Sequence, residues 1–468
     1  MGIKFFHSSV IALLATIVLH FFSFSPYGAS PHNLAIFSAF FVFLTLFRLI
    51  LEKRMRNIFL LPFIGLNWIY FQSPFLLENK TEYFLRIIDE KYIDEISIFS
   101  SFSIALIYIG YYSFFNTVKP LSSSKVRFNE SQNKKLIYFF ILLGVLYRLG
   151  TTVAPGAVAK LSNIIQLFFY APTIVFALYT LYLLRYRFKG GMSALHIISI
   201  GYVLFEFLIR LSTTLIANVG IIFLGVLLVY FREKRKIPIV YVLIILFILY
   251  PIYNSRKYFR YIAEKQNVEL SDVDMGRNLL EKSYDTETQH EVEKFYSREN
   301  TFNKEHNRFE NLSFISHVVL QHKLKIKPFL YGQTFYWLPL VPIPRIIFPG
   351  KPENLLSTDL ATSYGLRGID SSASINFPMI VEAYINFDFQ GMLVLSLLFG
   401  IALKWFTAKF GYGIGDVNLL IILNSMKQFT HAEGNITLVF GAFIQVYLFW
   451  WVVLNIFNFK KDLIEVDK

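Results

Sequence analysis

The sequence predicts an all-α polytopic membrane protein with about twelve membrane-crossing helices and one long polar segment outside the bilayer. Three observations predict it. Apolar runs of about 17 to 25 residues, the length needed to cross a hydrocarbon core, recur along the chain. Only 16% of the 468 residues are charged, where a soluble protein would carry about 25%. Basic residues, finally, gather after every second run.

The runs fall at 5–24, 33–51, 58–77, 96–116, 136–150, 161–184, 193–211, 214–231, 237–253, 383–403, 416–429 and 436–458. Those at 136–150 and 416–429 are short for a crossing. The first follows Lys4 and resembles a signal peptide. Its apolar stretch, Val10 to Phe24, is long for that, and Gly28-Ala29-Ser30 is followed by Pro31, a poor cleavage site. It reads as a retained helix. Tyr and Trp near the run ends suit interfacial belts.

Lysine and arginine in short loops set the orientation. Arg48, Lys53, Arg54 and Arg56 follow the second run; Lys119, Lys125, Arg127, Lys134 and Lys135 follow the fourth. Arg185, Arg187 and Lys189 follow the sixth, Arg232, Lys234, Arg235 and Lys236 the eighth, Lys404 and Lys409 the tenth, and Lys460 and Lys461 close the chain. The odd-numbered exits are mostly poor in Lys and Arg or acidic, as at Asp89, Glu90, Asp94 and Glu95. The exception is the ninth, with Arg256, Lys257 and Arg260, which opens a long segment that weighs little in this rule. Both termini are therefore expected in the cytoplasm. Residues 1–253 carry helices one to nine, 254–378 form an external loop with short helices, and 379–468 carry helices ten to twelve.

The net charge of +13 is accounted for by these loops, so nucleic acid is not an expected partner. There is no Cys, hence no disulfide and no thiolate metal site. Neither a phosphate-binding G-x-x-x-x-G-K-[ST] loop nor H-E-x-x-H occurs. The short first outer loop, Ser25 to Asn33, lacks the acidic pair of metal-dependent lipid-phosphosugar transferases. The acidic run Asp89 to Glu95 reads as a solvated loop. No metal and no cofactor are expected.

The long segment is charged from 254 to 311 and rich in Pro, Gly and Ser from 326 to 378. Its aromatics (Phe335, Tyr336, Trp337, Phe348, Tyr364) argue against disorder. Arg345 stands between prolines in Pro342-Ile-Pro344-Arg345-Ile-Ile-Phe-Pro349-Gly350-Lys351-Pro352. A stiffly held guanidinium near a membrane suits a phosphate oxyanion, which it binds bidentately; a proline-stiffened loop whose arginine meets headgroups is the alternative. Ser363-Tyr-Gly365-Leu-Arg367-Gly368-Ile-Asp370 follows, then Glu382-Ala-Tyr384-Ile-Asn386-Phe-Asp-Phe-Gln-Gly391 at a helix entrance.

These three stretches, with the many helices and one long outer loop in the C-terminal half, resemble the bacterial O-antigen and capsule repeat-unit polymerase family (Wzy-type). Two positions depart from the family pattern: Val381 and Asp388 stand where glycine is common. The resemblance implies a GT-C-like architecture in the bacterial inner membrane. It implies a metal-independent glycosyltransferase that moves a growing glycan from undecaprenyl diphosphate to a sugar hydroxyl of an incoming lipid-linked unit. A chain-length regulator is an implied partner.

That reaction needs cations for the leaving diphosphate. Arg345 and Lys351 are candidates, as is Arg210, an ionisable residue inside an apolar run. Arg256 and Arg260 are further diphosphate candidates. Glu382 is a candidate base. Other acid–base candidates are Asp370, His290, His306, His317, His322 and His431. Arg367, Asp370, Tyr384 and His431 are the expected substrate contacts, with Tyr336, Trp337 and Tyr364 available for sugar stacking. Each has a plainer reading as a headgroup contact, helix-end charge or surface residue. A lipid-oligosaccharide flippase or other transporter, and a ligase using the same donor, are the alternative functions. Carriers usually have paired broken helices in two repeated halves, and no internal repeat is visible here.

Overall fold

The computed structural model describes residues 31–52, 60–76, 90–113, 127–153, 168–186, 193–212, 216–234, scattered positions from 238 to 247, 311–336, 338–340, 343, 348, 356–365, 377–408, 415–430 and 434–456. Among them there is no strand. The helices are α1 (Pro31–Glu52), α2 (Leu60–Phe71), α3 (Glu90–Ser113), α4 (Glu130–Val153), α5 (Ala171–Tyr186), α6 (Ala194–Ser212), α7 (Ile216–Lys234), α8 (Asn311–Lys323), α9 (Leu356–Ser363), α10 (Met379–Phe406), α11 (Asp416–Thr430) and α12 (Ile436–Ile456). The first apolar run and most of the ninth lie outside the described residues, as does the charged stretch 254–310.

Asp94–Tyr112, Glu130–Val153 and Met379–Phe406 are each long and apolar enough to cross a membrane. Their surfaces agree with that role. On α4, Tyr138, Leu142, Val145, Leu146, Leu149 and Val153 are exposed, and on α6 so are Ile197, Ile200, Leu204 and Leu208. Apolar rows of this extent on a water-soluble surface would be a liability; facing hydrocarbon they are at home. The protein is an all-α membrane protein.

Local sequence explains where several helices begin. The apolar run at 136–150 is short, yet α4 has 24 residues. Asn129 and Gln132 cap it reciprocally: Gln132 N donates to Asn129 Oδ1 at 2.8 Å and Asn129 N to Gln132 Oε1 at 3.0 Å. This capping box starts the helix six residues before the apolar run. Pro172 in the first turn of α5, and Pro378 just before α10, occupy positions where a missing N–H costs nothing.

Packing follows the faces left by these patterns. α3 and α10 lie together along their lengths, α5 sits between α4 and α7, α1 packs on α3, and α11 pairs with α12. At the α3–α10 crossing Gly110 and Gly400 allow backbone contact. A Cβ at Gly110 would meet the Leu397 carbonyl at 2.4 Å, and one at Gly400 the Ile107 carbonyl at 2.2 Å. A large core runs through this bundle. A second core joins Phe71 and Ile96 to Ile315, Val318 and Val319 of α8, to Ala361 and Tyr364 of the α9 region, and to Ile380, Val381 and Tyr384 of α10. The described parts of segment 254–378 are therefore docked on the helix ends rather than separate from them.

Candidate functional site

Two ionic clusters mark opposite ends of the bundle. At one end Asp416, fully buried, accepts hydrogen bonds from Arg185 Nη1 at 2.7 Å, Arg185 Nη2 at 2.9 Å, Arg232 Nη2 at 2.6 Å and the Phe128 amide at 2.6 Å. Glu233 accepts from Arg185 at 2.9 and 3.2 Å and from Arg232 at 2.8 and 3.1 Å. Two guanidiniums meet two carboxylates, so this cluster is neutral. It ties the start of α4 to the ends of α5 and α7 and the start of α11.

The cluster at the other ends of α4, α5 and α6 is built around Glu206. Glu206 accepts from Arg148 Nε and Nη2, both at 2.8 Å, and stands 3.6 Å from Arg210 Nε. Arg210, buried, also donates to the Phe169 carbonyl and lies 4.0 Å from the Phe169 ring centroid. Among the described residues, both guanidiniums reach the one Glu206 carboxylate. Arg148 keeps 22% of its side chain exposed. Gly144 leaves the room that the Tyr202 hydroxyl fills.

The Glu382 region lies at this second end, as the chain path requires. α11 begins at the Asp416 cluster and runs 15 residues, about 22 Å, towards the other end. α12 begins six residues after α11 ends, and its first amide, Ile436 N, donates to Glu382 Oε2 at 2.7 Å. Glu382 is buried and caps α12, a placement that satisfies one of the open amides of a helix start. The Thr334 hydroxyl adjoins its carboxyl.

Five residues on, α10 is broken. Phe387 (φ −142°, ψ 25°) and Asp388 (φ 59°, ψ −167°) leave helical geometry. The carbonyls freed by the break are taken by a loop: Leu330 N donates to Ile385 O and Tyr331 N to Asn386 O, each at 3.0 Å. The Asn386 side chain completes the joint. Its Oδ1 accepts from Gly332 N at 2.9 Å, and its Nδ2 donates to Thr334 Oγ1 at 2.7 Å and to the Glu382 carbonyl at 2.8 Å. Asp388 Oδ1 accepts from Phe389 N at 2.8 Å and restarts the helix. Gly391 makes room for Phe387, whose Cβ would lie 2.1 Å from a Cβ at 391.

Tyr384 is fully buried, in a box with His322, Phe329 and Phe389. His322 Nε2 and Tyr364 Oη are hydrogen-bonded at 2.8 Å, and His317 Nε2 donates to the Tyr364 carbonyl at 2.8 Å. Burial holds the His322 imidazole below its ordinary value and pushes the Tyr364 hydroxyl up. Tyr364 and Tyr384 thus hold the loop onto α10, and of the stacking candidates described Tyr336 is the exposed one.

The structure brings Glu382 and Arg210 to one end of the bundle, each engaged by protein partners. Arg256, Arg260, Arg345, Lys351, Arg367, Asp370 and His431, with His290, His306 and Trp337, lie outside the described residues. Sequence reasoning missed Arg148, Glu206 and Asn386. The spacing of Glu206 and Arg210, four residues apart, was a visible helical ion-pair signal. Arg148 at the end of an apolar run was another. The chain matches no protein-family model, no curated protein and no solved structure.

Proposed function

We propose that this protein joins undecaprenyl-diphosphate-linked oligosaccharide units, acting as a repeat-unit polymerase in a bacterial inner membrane. In this reading the chain crosses the membrane about twelve times with both termini in the cytoplasm. The Glu382 end faces outward and the Asp416 end inward. The observation that carries the proposal is the pair of guanidiniums on Glu206, Arg210 buried and Arg148 part-exposed, at the end that also holds the broken helix. A guanidinium held in low dielectric attracts an anion strongly, and the diphosphate of a lipid carrier is an anion a membrane supplies.

The reaction breaks the bond between the donor sugar's anomeric carbon and the diphosphate oxygen. The diphosphate leaves with the electron pair. An acceptor hydroxyl attacks the anomeric carbon and its proton goes to a base, for which Glu382 is the assignment. Arg345 and Lys351, with Arg256 and Arg260, complete the cationic set; Arg367, Asp370, Tyr384 and His431 are assigned to the substrate or its surroundings. A chain-length regulator is the partner this reading adds.

Deleting the gene and resolving surface glycan on a gel tests it. Single repeat units at the surface are the expected result. Lipid-linked units trapped inside would assign a flippase, and long chains left on the carrier a ligase; either overturns the polymerase reading. Complementation by Arg345→Ala with full chain length removes that arginine from the diphosphate site.

A further inference from the structure

We infer that the turn from Leu324 to Tyr331 is a membrane-surface contact that seats apolar side chains among lipid headgroups and selects anionic phospholipid. The break divides α10 into unlike halves. Every residue from Met379 to Asn386 is buried in protein. Beyond the break Val394, Leu398 and Trp405 are exposed and apolar. From Phe389 to Phe406 there are 18 residues, which at 1.5 Å each span about 27 Å. That is close to the ~30 Å of a hydrocarbon core. The second half alone therefore crosses the core, Trp405 falls at the far boundary where tryptophan is favoured, and the break lies at the near boundary.

The turn is fixed at the level of the break by the Leu330 and Tyr331 amides on the Ile385 and Asn386 carbonyls. It presents Leu324, Ile326 and Tyr331 with 57%, 58% and 78% of their surface exposed. Lys323, Lys325 and Lys327 alternate with the two aliphatic residues. In water these aliphatic groups would be a cost. At the interface they reach acyl chains while the lysines stay among the phosphates. Lys323 is paired with Glu95 at 3.0 Å. Lys325 and Lys327 make no ion pair among the described residues, so they carry the attraction to an anionic leaflet. This contact is independent of the chemistry at this end of the bundle.

The chain has no cysteine, so single nitroxide labels can be placed without background. Leu324→Cys, Lys325→Cys, Ile326→Cys and Lys327→Cys variants of the full chain go into phosphatidylcholine nanodiscs with and without phosphatidylglycerol. Labels at 324 and 326 are expected to be more accessible to oxygen than to a water-soluble nickel reagent, and those at 325 and 327 the reverse. Water-exposed labels at 324 and 326 overturn the contact. Native mass spectrometry then counts retained lipid. Each lysine contributes roughly fivefold at an anionic surface, so Lys325→Gln with Lys327→Gln should lower the preference for phosphatidylglycerol about 25-fold. Immersed labels with no phosphatidylglycerol preference in the unmutated protein overturn the choice of an anionic partner.

Discussion

Replacing Asn386 by leucine tests the joint at the broken helix with little change in volume. The substitution removes three side-chain hydrogen bonds, at 2.9, 2.7 and 2.8 Å, that bind Gly332, Thr334 and the Glu382 carbonyl. A buried bond contributes about 1 kcal/mol net, so the loss is about 3 kcal/mol. About 2 kcal/mol of the loss falls on the docked loop, because two of the three bonds cross to it. At 1.4 kcal/mol per tenfold, the open population of the loop rises about 30-fold. Hydrogen exchange reads this directly at the Leu330 and Tyr331 amides, whose acceptors are the carbonyls of the break. Both amides should exchange about 30-fold faster, with the interior of α5 unchanged as the internal control. An acceleration below about threefold, under 1 kcal/mol, would refute the reasoning that Asn386 holds the loop.

Glu382→Gln keeps an oxygen to accept from Ile436 N, so its thermal stability should stay within about 1 kcal/mol of the parent while chain extension is lost; a normal glycan ladder would restrict the carboxyl to capping. Glu382→Ala leaves that amide buried and unmet, at a cost of about 1 to 3 kcal/mol measurable by thermal melting. Asp416→Asn leaves Arg185 and Arg232 sharing Glu233 alone and should cost about 3 to 5 kcal/mol, read as a lowered melting temperature in detergent; parent-like melting rejects the cluster as a structural tie. Loop docking should also weaken in acid. His322 has its folded value held below 6.5 by burial, so above 6.5 the docked and undocked states are both neutral. Below 6.5 only the undocked loop takes up the proton readily, and docking stability falls as pH falls. Protease sensitivity of the loop should rise on acidification in the parent and lose that dependence in His322→Gln.

The helices were legible because hydrophobic burial in lipid imposes a length and a continuous apolar run, and α1, α6, α11 and α12 begin and end near the runs that foretold them. The start of α4 was written in the sequence too, as Asn129 and Gln132, but in capping chemistry rather than hydropathy. The break at 387–388 was not legible. Asn386-Phe387-Asp388-Phe389 contains neither proline nor glycine, and the distortion persists because a loop more than fifty residues earlier satisfies the freed carbonyls. Asp388 adopts a backbone conformation that favours glycine, so a glycine at 388, common in the family the motif resembles, would have announced the break. Tyr384 looked like a surface for sugar because its motif sits at a helix entrance. Its burial comes from α8 and Phe329, which no local pattern places there. Arg210 was visible as an ionisable residue in an apolar run, but Arg148, which shares Glu206 with it, comes from another helix.

Asp416 is also late. Its partners Phe128, Arg185 and Arg232 precede it by 288, 231 and 184 residues. During synthesis two guanidiniums at the ends of α5 and α7 wait with Glu233 as their one carboxylate of the cluster, until α11 leaves the ribosome. The early helices can gather, since α4, α5 and α7 already share a core, but they gather with an unbalanced charge at one end. Arrival of Asp416 neutralises it and ties the beginning of α4 to a helix made hundreds of residues later. A chain that stops before residue 416 therefore lacks the second carboxylate of the cluster, and Arg185 and Arg232 are left to share Glu233.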